Sequence, residues 1–165
     1  MSRSKSSKAS ATGGKAKSPT IENRRARFNY RFDDKIEVGI VLKGNEVKSI
    51  RDSKVSLVES HARIMKDELW LFHMTINPYQ SQNSFESYDP KRPRKLLAKR
   101  KEISKLAVKL NAKGYTLIPL RLYFTGGKVK ILLGLGEGKR EYDKRDSIKR
   151  REGELEAGRA MKRRF

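Results

Sequence analysis

Three short segments combine basic residues with aromatic or apolar ones, and they carry the clearest chemistry in the chain. Residues 23–30 place three arginines before a phenylalanine and a tyrosine, residues 92–101 contain six basic residues, and residues 139–145 contain four and a tyrosine. Guanidinium and ammonium groups pair with phosphate, and aromatic rings stack on bases. One basic segment is usually a solvated surface, but three in one chain indicate contact with RNA.

A catalytic set is harder to assemble. The two histidines, His61 and His73, lie beside apolar residues in strand-like sequence, where we expect half-buried side chains and no general base. Asp143, Asp146 and Glu152 alternate with lysines and arginines, so salt bridges on a solvated helix explain them better than a magnesium site. The chain has no cysteine, which excludes thiolate zinc sites and cysteine nucleophiles. We therefore expect no enzymatic activity, no metal and no other cofactor.

A glycine-rich segment at residues 134–139 (GLGEGK) superficially resembles a phosphate-binding loop. Its spacing fits neither the dinucleotide fingerprint nor the P-loop, and no suitable helical pattern follows it directly. We interpret these glycines as a flexible hinge between a folded domain and the C-terminal residues.

The charge of the chain points to a polyanionic partner. Lysine and arginine outnumber aspartate and glutamate by 40 to 19, a formal net charge of +21. The excess occurs in both polar ends and in the more apolar middle, which favours nucleic acid over an anionic membrane. No apolar stretch follows the N-terminal residues and no segment is apolar enough to span a bilayer, so we expect a cytoplasmic protein without membrane contact.

The elements that must position these side chains lie between residues 21 and 138. Apolar patterns predict strands at residues 28–32, 36–42, 62–65, 69–76, 96–97, 116–124 and 128–135. Short helices are predicted from residue 44 and over residues 103–110, with a surface loop at residues 77–93. Gly126 and Gly127 predict a hairpin turn. This pattern favours a mainly β fold, an OB-fold-like small antiparallel β-barrel with two or three short helices, and a split α+β sheet is the alternative.

Both ends differ from this middle domain. Residues 1–20 are rich in Ser, Lys, Gly and Ala without apolar periodicity, and we expect a disordered basic arm. Residues 139–165 are dense in charge and contain Gly153 and Gly158, each of which weakens a helix by about 1 kcal/mol relative to alanine. We expect this basic tail to be disordered in the free protein and helical when it lies along a polyanion.

A series of motifs makes the chain recognisable. In order along the sequence they are residues 23–27 (NRRAR), 37–40 (EVGI), 44–51 (GNEVKSIR), 89–90 (DP), 94–97 (RKLL), 113–114 (KG), 119–124 (PLRLYF), 138–139 (GK) and 143–145 (DKR). From about residue 21 to about residue 151 the chain resembles the SsrA-binding protein family, also called small protein B. Residues 44–51 together with residues 143–145 are the most specific part of the match.

The resemblance implies a bacterial protein that binds transfer-messenger RNA and brings it to stalled ribosomes. In that process, trans-translation, the unfinished polypeptide is tagged for degradation and the ribosome is freed. The resemblance also implies an OB fold that binds the tRNA-like domain, a tail that occupies the vacant decoding site and mRNA channel of the small subunit, and no enzymatic activity. We expect a monomer in the RNA complex. The alternative is a ribosomal protein or an rRNA chaperone with the same basic barrel.

The resemblance also assigns RNA-binding residues to positions in this sequence. On the barrel it gives Glu37, Leu97 and Lys128, and less directly, from the matching motifs, Asn23, Arg25, Arg27, Lys48, Arg94 and Lys95. In the tail it gives Gly138, Lys139 and Arg140 before a decoding-site segment of Tyr142, Asp143, Lys144 and Arg145. The chain departs from the family pattern at Phe28, where family members often have histidine, and at Ala98 and Lys99, where a histidine is common. Tyr142 lies at a position that varies and is histidine in some members. These departures put individual contacts in doubt and leave the role intact.

Overall fold

The computed structural model describes residues 18–79, 88–111 and 114–140, together with residues 143, 145, 148–150, 152, 153 and 156. The strands are β1 (Ile21–Glu22), β2 (Tyr30–Ile40), β3 (Val55–Ser56), β4 (His61–Met65), β5 (Glu68–Phe72), β6 (Thr75–Ile76), β7 (Arg94–Leu97), β8 (Tyr115–Thr125) and β9 (Lys128–Gly138). The helices before the tail are α1 (Arg24–Asn29), α2 (Gly44–Arg51) and α3 (Arg100–Leu110).

Six strands form a closed antiparallel barrel. The pairings run β8–β4–β5–β7–β2–β9, and β9 pairs again with β8, so the sheet closes on itself. β1 pairs with β8 at Leu122 and Arg121, beyond the point where β4 pairs with it, and β3 and β6 form a separate two-stranded sheet. The predicted mainly β, small antiparallel barrel is confirmed, and the split α+β sheet is wrong.

Alternation along the long strands separates the core from the surface. In β9 the side chains of Val129, Ile131 and Leu133 are buried inside the barrel, while Lys128 is exposed and Lys130 half-buried. The Gly126–Gly127 turn that joins β8 to β9 has positive φ at both glycines, as the hairpin prediction required. α3 contributes Leu106 to the same core. The outer face of β9 is thus open to the solvent around Lys128 and Lys130.

The sequence prediction of a strand at residues 28–32 is wrong at its start. Residues 24–29 form the helix α1, because the Asn23 side chain caps it by accepting a hydrogen bond from the Ala26 backbone N–H at 3.0 Å. Ala26 then packs against Ile118 and Leu120 on the outside of the barrel. Residues 30–40 follow as one strand with an irregularity between Phe32 and Asp34, where two strands were predicted.

The glycines at 134 and 136 are not a hinge. Both lie in β9, which pairs with β2 and β8 as far as Gly138. A Cβ at Gly136 would lie 2.5 Å from the backbone oxygen of Arg31, and one at Gly134 would lie 2.5 Å from the Phe32 ring. Glycine is required here because the neighbouring strand and the ring approach the backbone so closely.

A buried ion cluster fixes α2 to the segment before β7. Glu46 and Arg94 are both fully buried, and Glu46 Oε1 accepts a hydrogen bond from Arg94 Nε at 2.9 Å and another from Arg92 Nε at 2.9 Å. The Lys43 backbone N–H donates to Glu46 Oε2 at 2.8 Å. Arg94 also donates to the backbone oxygens of Met74, Arg92 and Pro90. Both buried charges are thus paired and hydrogen-bonded, the condition for keeping ions in a protein interior.

The described residues of the tail, from 143 to 156, have helical backbone and are exposed. The predicted arm lies outside the described residues up to residue 17, as does the centre of the predicted loop, residues 80–87. In the part of the chain that the structure describes, no helix has the length and apolar character needed to cross a membrane.

We predict that Glu46→Gln lowers the free energy of unfolding by about 3 kcal/mol or more, because it leaves the buried Arg94 charge uncompensated. Chemical denaturation at pH 7 measures this value. The control is Glu68→Gln, which removes the partly exposed partner of Lys95 and should lower the free energy of unfolding far less, because water screens an exposed ion pair. Equal losses in both variants would contradict the assigned role of the cluster.

The same prediction has a pH dependence. Burial raises the pKa of Glu46, but Arg92, the Lys43 N–H and Arg94 outweigh it and hold this pKa below the ordinary value of 4.5. The contribution of the Glu46 carboxylate to the free energy of unfolding is therefore complete above pH 4.5. It is lost as the pH falls through the lowered pKa that Glu46 has in the folded protein. The difference between the wild type and Glu46→Gln should shrink at acidic pH.

Candidate RNA interface

A row of side chains crosses the outer face of four neighbouring barrel strands. Leu97 of β7 stands opposite Gly39 of β2, Gly39 opposite Lys130 of β9, and Lys130 opposite Tyr123 of β8. Glu37 lies two residues before Gly39 and on the same face of β2. The register of the sheet therefore places one apolar, one phenolic, one cationic and one anionic side chain next to each other.

Two hydrogen bonds hold the Glu37 carboxylate. Tyr123 Oη donates to Oε2 of Glu37, and Lys130 Nζ donates to Oε1. The bonds from Lys130 and Tyr123 both lower the pKa of Glu37. Burial, the bond to Glu37 and its negative charge raise the pKa of Tyr123 to about 12. At neutral pH Glu37 is thus an ionised acceptor and Tyr123 a protonated donor.

A groove of about 680 Å³ runs beside this row, between the outer face of the barrel and the start of α3. Leu97 forms an apolar wall, with 54% of its surface exposed. Lys95, which pairs with Glu68, is also in the groove, and so are the cations Lys66, Lys99, Arg100 and Lys130. Asp67, Glu68 and Glu102 line the groove as well, so it holds four carboxylates beside its cations. A groove with an exposed leucine, a fixed carboxylate and several cations can bind an RNA base on its floor and phosphates at its edges.

The structure brings together part of the expected barrel set. Glu37, Lys95 and Leu97 line the groove, and Lys128 is exposed on the same outer face of β9 as Lys130. Their roles in RNA binding stay predictions.

Other expected residues lie elsewhere on the surface. Lys48 projects from α2, with its ammonium 5.6 Å from the centre of the Tyr79 ring. Arg25 and Arg27 are exposed on α1, and Arg25 lines a second hollow of about 410 Å³ with His61 and Arg63. The structure does not bring these residues to the groove.

Two of the expected RNA contacts are corrected by the structure. Arg94 is fully buried and its guanidinium is engaged by Glu46 and three backbone oxygens. Asn23 is 4% exposed, and its amide donates to the backbone oxygens of Leu57 and Pro119 at 2.9 and 3.1 Å. Neither side chain has a polar atom free for RNA, so both act by holding the fold.

Tyr123 and Lys130 are site residues that the sequence analysis missed. Lys130 could have been found from Lys128, because alternate residues of a strand share a face. Tyr123 could have been found by counting back across the Gly126–Gly127 turn, since it stands opposite Lys130. Its contact with Glu37 has no sequence signal, because the two residues are 86 positions apart.

The first tail residues are described in part. Gly138 ends β9, and the backbone N–H of Lys139 donates to the Asn29 oxygen at 2.8 Å. Arg140, Asp143 and Arg145 are exposed. Tyr142 and Lys144 lie outside the described residues, and the decoding-site role of the whole segment stays a prediction.

The histidines pack against other side chains. His61 is half-buried and its ring stacks on Phe72 at 5.8 Å between centroids, while His73 is exposed and not half-buried as expected. Burial and the nearby Arg63 charge lower the pKa of His61. Within the described part of the chain, no group of three or more His, Asp or Glu residues is arranged to hold a metal ion.

Known proteins resemble this chain over most of its length. The family model described as "SmpB protein" matches residues 20–163. The SsrA-binding protein of Carboxydothermus hydrogenoformans is 49% identical over 87% of this chain and 96% of its own length. That of Thermosynechococcus vestitus is 49% identical over 87% and 94%, respectively, and that of Roseiflexus sp. 44% identical over 93% and 98%.

A solved structure is also similar to this chain. A chain in the structure described as "tmRNA-SmpB: a journey to the center of the bacterial ribosome" superposes on this one with a TM-score of 0.64 at 44% identity. The match covers 79% of this chain and 94% of that chain.

We predict that Lys128→Ala weakens RNA binding and reduces the slope of log affinity against log salt by about 1, because one phosphate contact is lost. A titration of labelled transfer-messenger RNA between low and moderate salt measures the slope. The matched control is Lys54→Ala, which removes one cation outside the groove, beside Asp52 and Tyr79, and should leave the slope unchanged. Identical slopes for the two variants would exclude a specific phosphate contact at Lys128.

Proposed function

Because this chain belongs to the SmpB protein family, we propose that it binds transfer-messenger RNA and delivers it to stalled ribosomes for trans-translation. The observation that carries the proposal is the groove beside Glu37, Leu97 and Lys130, combined with a family match that covers the barrel and nearly all of the tail. The matched solved chain is described together with tmRNA and the bacterial ribosome, which disfavours the ribosomal-protein and rRNA-chaperone alternative.

The barrel binds the tRNA-like domain of this RNA. The closed sheet supplies a rigid outer face, which costs little ordering free energy on binding. In this proposal Lys95 and Arg100 in the groove and the exposed Lys128 on β9 contact phosphates, and Leu97 contacts an unstacked base or a ribose. Arg25, Arg27 and Lys48 lie outside the groove, where they can contact neighbouring RNA only if it extends around the barrel.

The chain divides into three functional parts. Residues 1–20 are a basic arm, residues 21–138 are the RNA-binding barrel, and residues 139–165 are a tail that folds on the ribosome. The tail occupies the vacant decoding site and mRNA channel, with Lys139, Arg140, Tyr142, Asp143, Lys144 and Arg145 in contact with small-subunit rRNA. The helical backbone of the described tail residues and the end of β9 at Gly138 support this division.

The protein acts in the cytoplasm by non-covalent binding to RNA. Its family is one of RNA-binding proteins, and no step of the proposed function needs the chain to make or break a covalent bond. It works as a monomer in the RNA complex and without a cofactor. Its contribution to rescue is to place one RNA on the ribosome and to detect that the mRNA channel is empty.

We predict that truncation after Gly138 spares binding to transfer-messenger RNA and abolishes tagging of stalled polypeptides. The barrel strands are complete at that residue, so the groove stays intact while the ribosome contact is lost. Gel-shift titration and an in vitro tagging assay on a ribosome stalled at an mRNA end measure the two effects.

A full-length variant with alanine at residues 143, 144 and 145 is the control for misfolding of the truncated chain. It should bind the RNA normally and tag poorly. Normal tagging by the truncated protein would overturn the role of the tail, and loss of RNA binding in both variants would overturn the division between barrel and tail.

A further inference from the structure

A fixed carboxylate is an unexpected group in a groove that binds a polyanion. Glu37 would repel phosphate, but its oxygens can accept hydrogen bonds from uncharged groups of the RNA. Its two protein partners are Tyr123, which has no role in the function described so far, and Lys130, one of the cations of the groove. They are the only donors to Glu37 among the described side chains, and each binds a different carboxylate oxygen.

The remaining acceptor capacity of Glu37 is symmetric. An ionised carboxylate offers about four lone-pair directions over its two oxygens. Tyr123 uses one on Oε2 and Lys130 uses one on Oε1, which leaves one on each oxygen. The Glu37 side chain is 41% exposed, so these lone pairs are accessible to a ligand. The carboxylate can therefore accept from two further donors at once, one on each oxygen.

Few RNA groups present two parallel donors. The adenine and cytosine amino groups, uracil N3–H and the ribose 2′-hydroxyl each offer a single donor in the direction of one acceptor. Guanine presents N1–H and the N2 amino group side by side on its Watson–Crick edge, with the spacing of two carboxylate oxygens. In a helix that edge is occupied by cytosine, so the guanine must be unpaired.

The surroundings of Glu37 leave room for such a base. Gly39, the next residue on the same face of β2, has no side chain, and the Leu97 side chain lies over it, with Cβ of Leu97 3.3 Å from where a Cβ of residue 39 would be. Leu97 thus covers Gly39 and supplies an apolar surface for a flat ring, and the groove beside Glu37 and Leu97 gives that ring its space. Cations of the groove lie within reach of the phosphates that flank an unstacked nucleotide.

We propose that Tyr123 and Lys130 are positioning residues that hold the Glu37 carboxylate as a paired acceptor for the Watson–Crick edge of an unpaired guanine. This inference rests on the proposed function, because the guanine belongs to the tRNA-like domain of the bound RNA. Tyr123 stays protonated and Glu37 ionised at neutral pH, so the arrangement persists under cellular conditions.

The test combines single-atom changes in the RNA with matched protein variants. Each unpaired guanine of the tRNA-like domain is replaced in turn by inosine, which lacks the 2-amino group, and the affinity of the full chain is measured. One position should lose about tenfold with the wild-type protein, the discrimination expected of a paired base contact. With Glu37→Gln the same inosine substitution should have no effect, because the paired acceptor is gone.

The positioning role is tested by Tyr123→Phe, which removes only the hydroxyl that holds Oε2. It should reduce the guanine-over-inosine preference while leaving thermal stability close to that of the wild type. The matched control is Tyr115→Phe, which removes a similar bond from the same strand, Tyr115 Oη to Asp33 Oδ2 at 2.6 Å, away from the groove. That variant should keep the full preference.

Three results would overturn the inference. One is an inosine scan in which no position affects the wild type. Another is an inosine penalty that persists in Glu37→Gln. The third is a Glu37-dependent loss caused by a single 2′-deoxy substitution and by no inosine, which would assign the carboxylate to a ribose hydroxyl. In each case a wild-type preference for transfer-messenger RNA over unrelated RNA would leave the proposed function standing, and its absence would remove both.

Discussion

The double pairing of β9 is the constraint on which the rest of the structure depends. This strand pairs with β2 along one edge and with β8 along the other, and so closes the barrel. A shift of one residue in either register would turn Lys128 and Lys130 into the core and Ile131 out to the solvent. Gly136 enforces the register, since any side chain there would collide with the Arg31 backbone. The row from Leu97 to Tyr123 exists because four strands hold these registers together.

Sequence patterns predicted those helices and strands that are determined by residues close together in the chain. The alternation of Lys128 to Leu135, the two glycines before it and the helical spacing of Ile103, Leu106 and Leu110 all correspond to elements of the structure. The helix α1 could not be predicted in this way, because the Asn23 that caps it is held by Leu57 and Pro119, 34 and 96 residues away. Phe28 and Tyr30 alternate like strand residues, but this tertiary contact overrides their pattern.

The residues of the candidate site also divide into those that the sequence predicts and those that only the tertiary structure shows. Arg94 and Lys95 are neighbours of the same charge, and sequence alone offers no reason to separate them. Alternation in β7 puts Lys95 in the groove and Arg94 in the interior, where a glutamate 48 residues away neutralises it. Glu37, Leu97 and Lys128 were assigned by family resemblance, while Tyr123 and Lys130 follow only from the register. The high positive charge that indicates an RNA-binding protein thus also includes cations that stabilise the fold. Only their burial in the structure distinguishes these cations from the ones available to RNA.

The most direct test of the central claim is the affinity for transfer-messenger RNA compared with an unrelated structured RNA of equal length, measured across a salt series. Every strongly basic protein binds RNA at low salt, so the ratio at moderate salt carries the information. We expect a preference for transfer-messenger RNA of roughly a hundredfold or more, about 2.7 kcal/mol. Equal affinities that fall together with salt would contradict it, leaving a general polyanion binder and favouring a ribosomal or chaperone role.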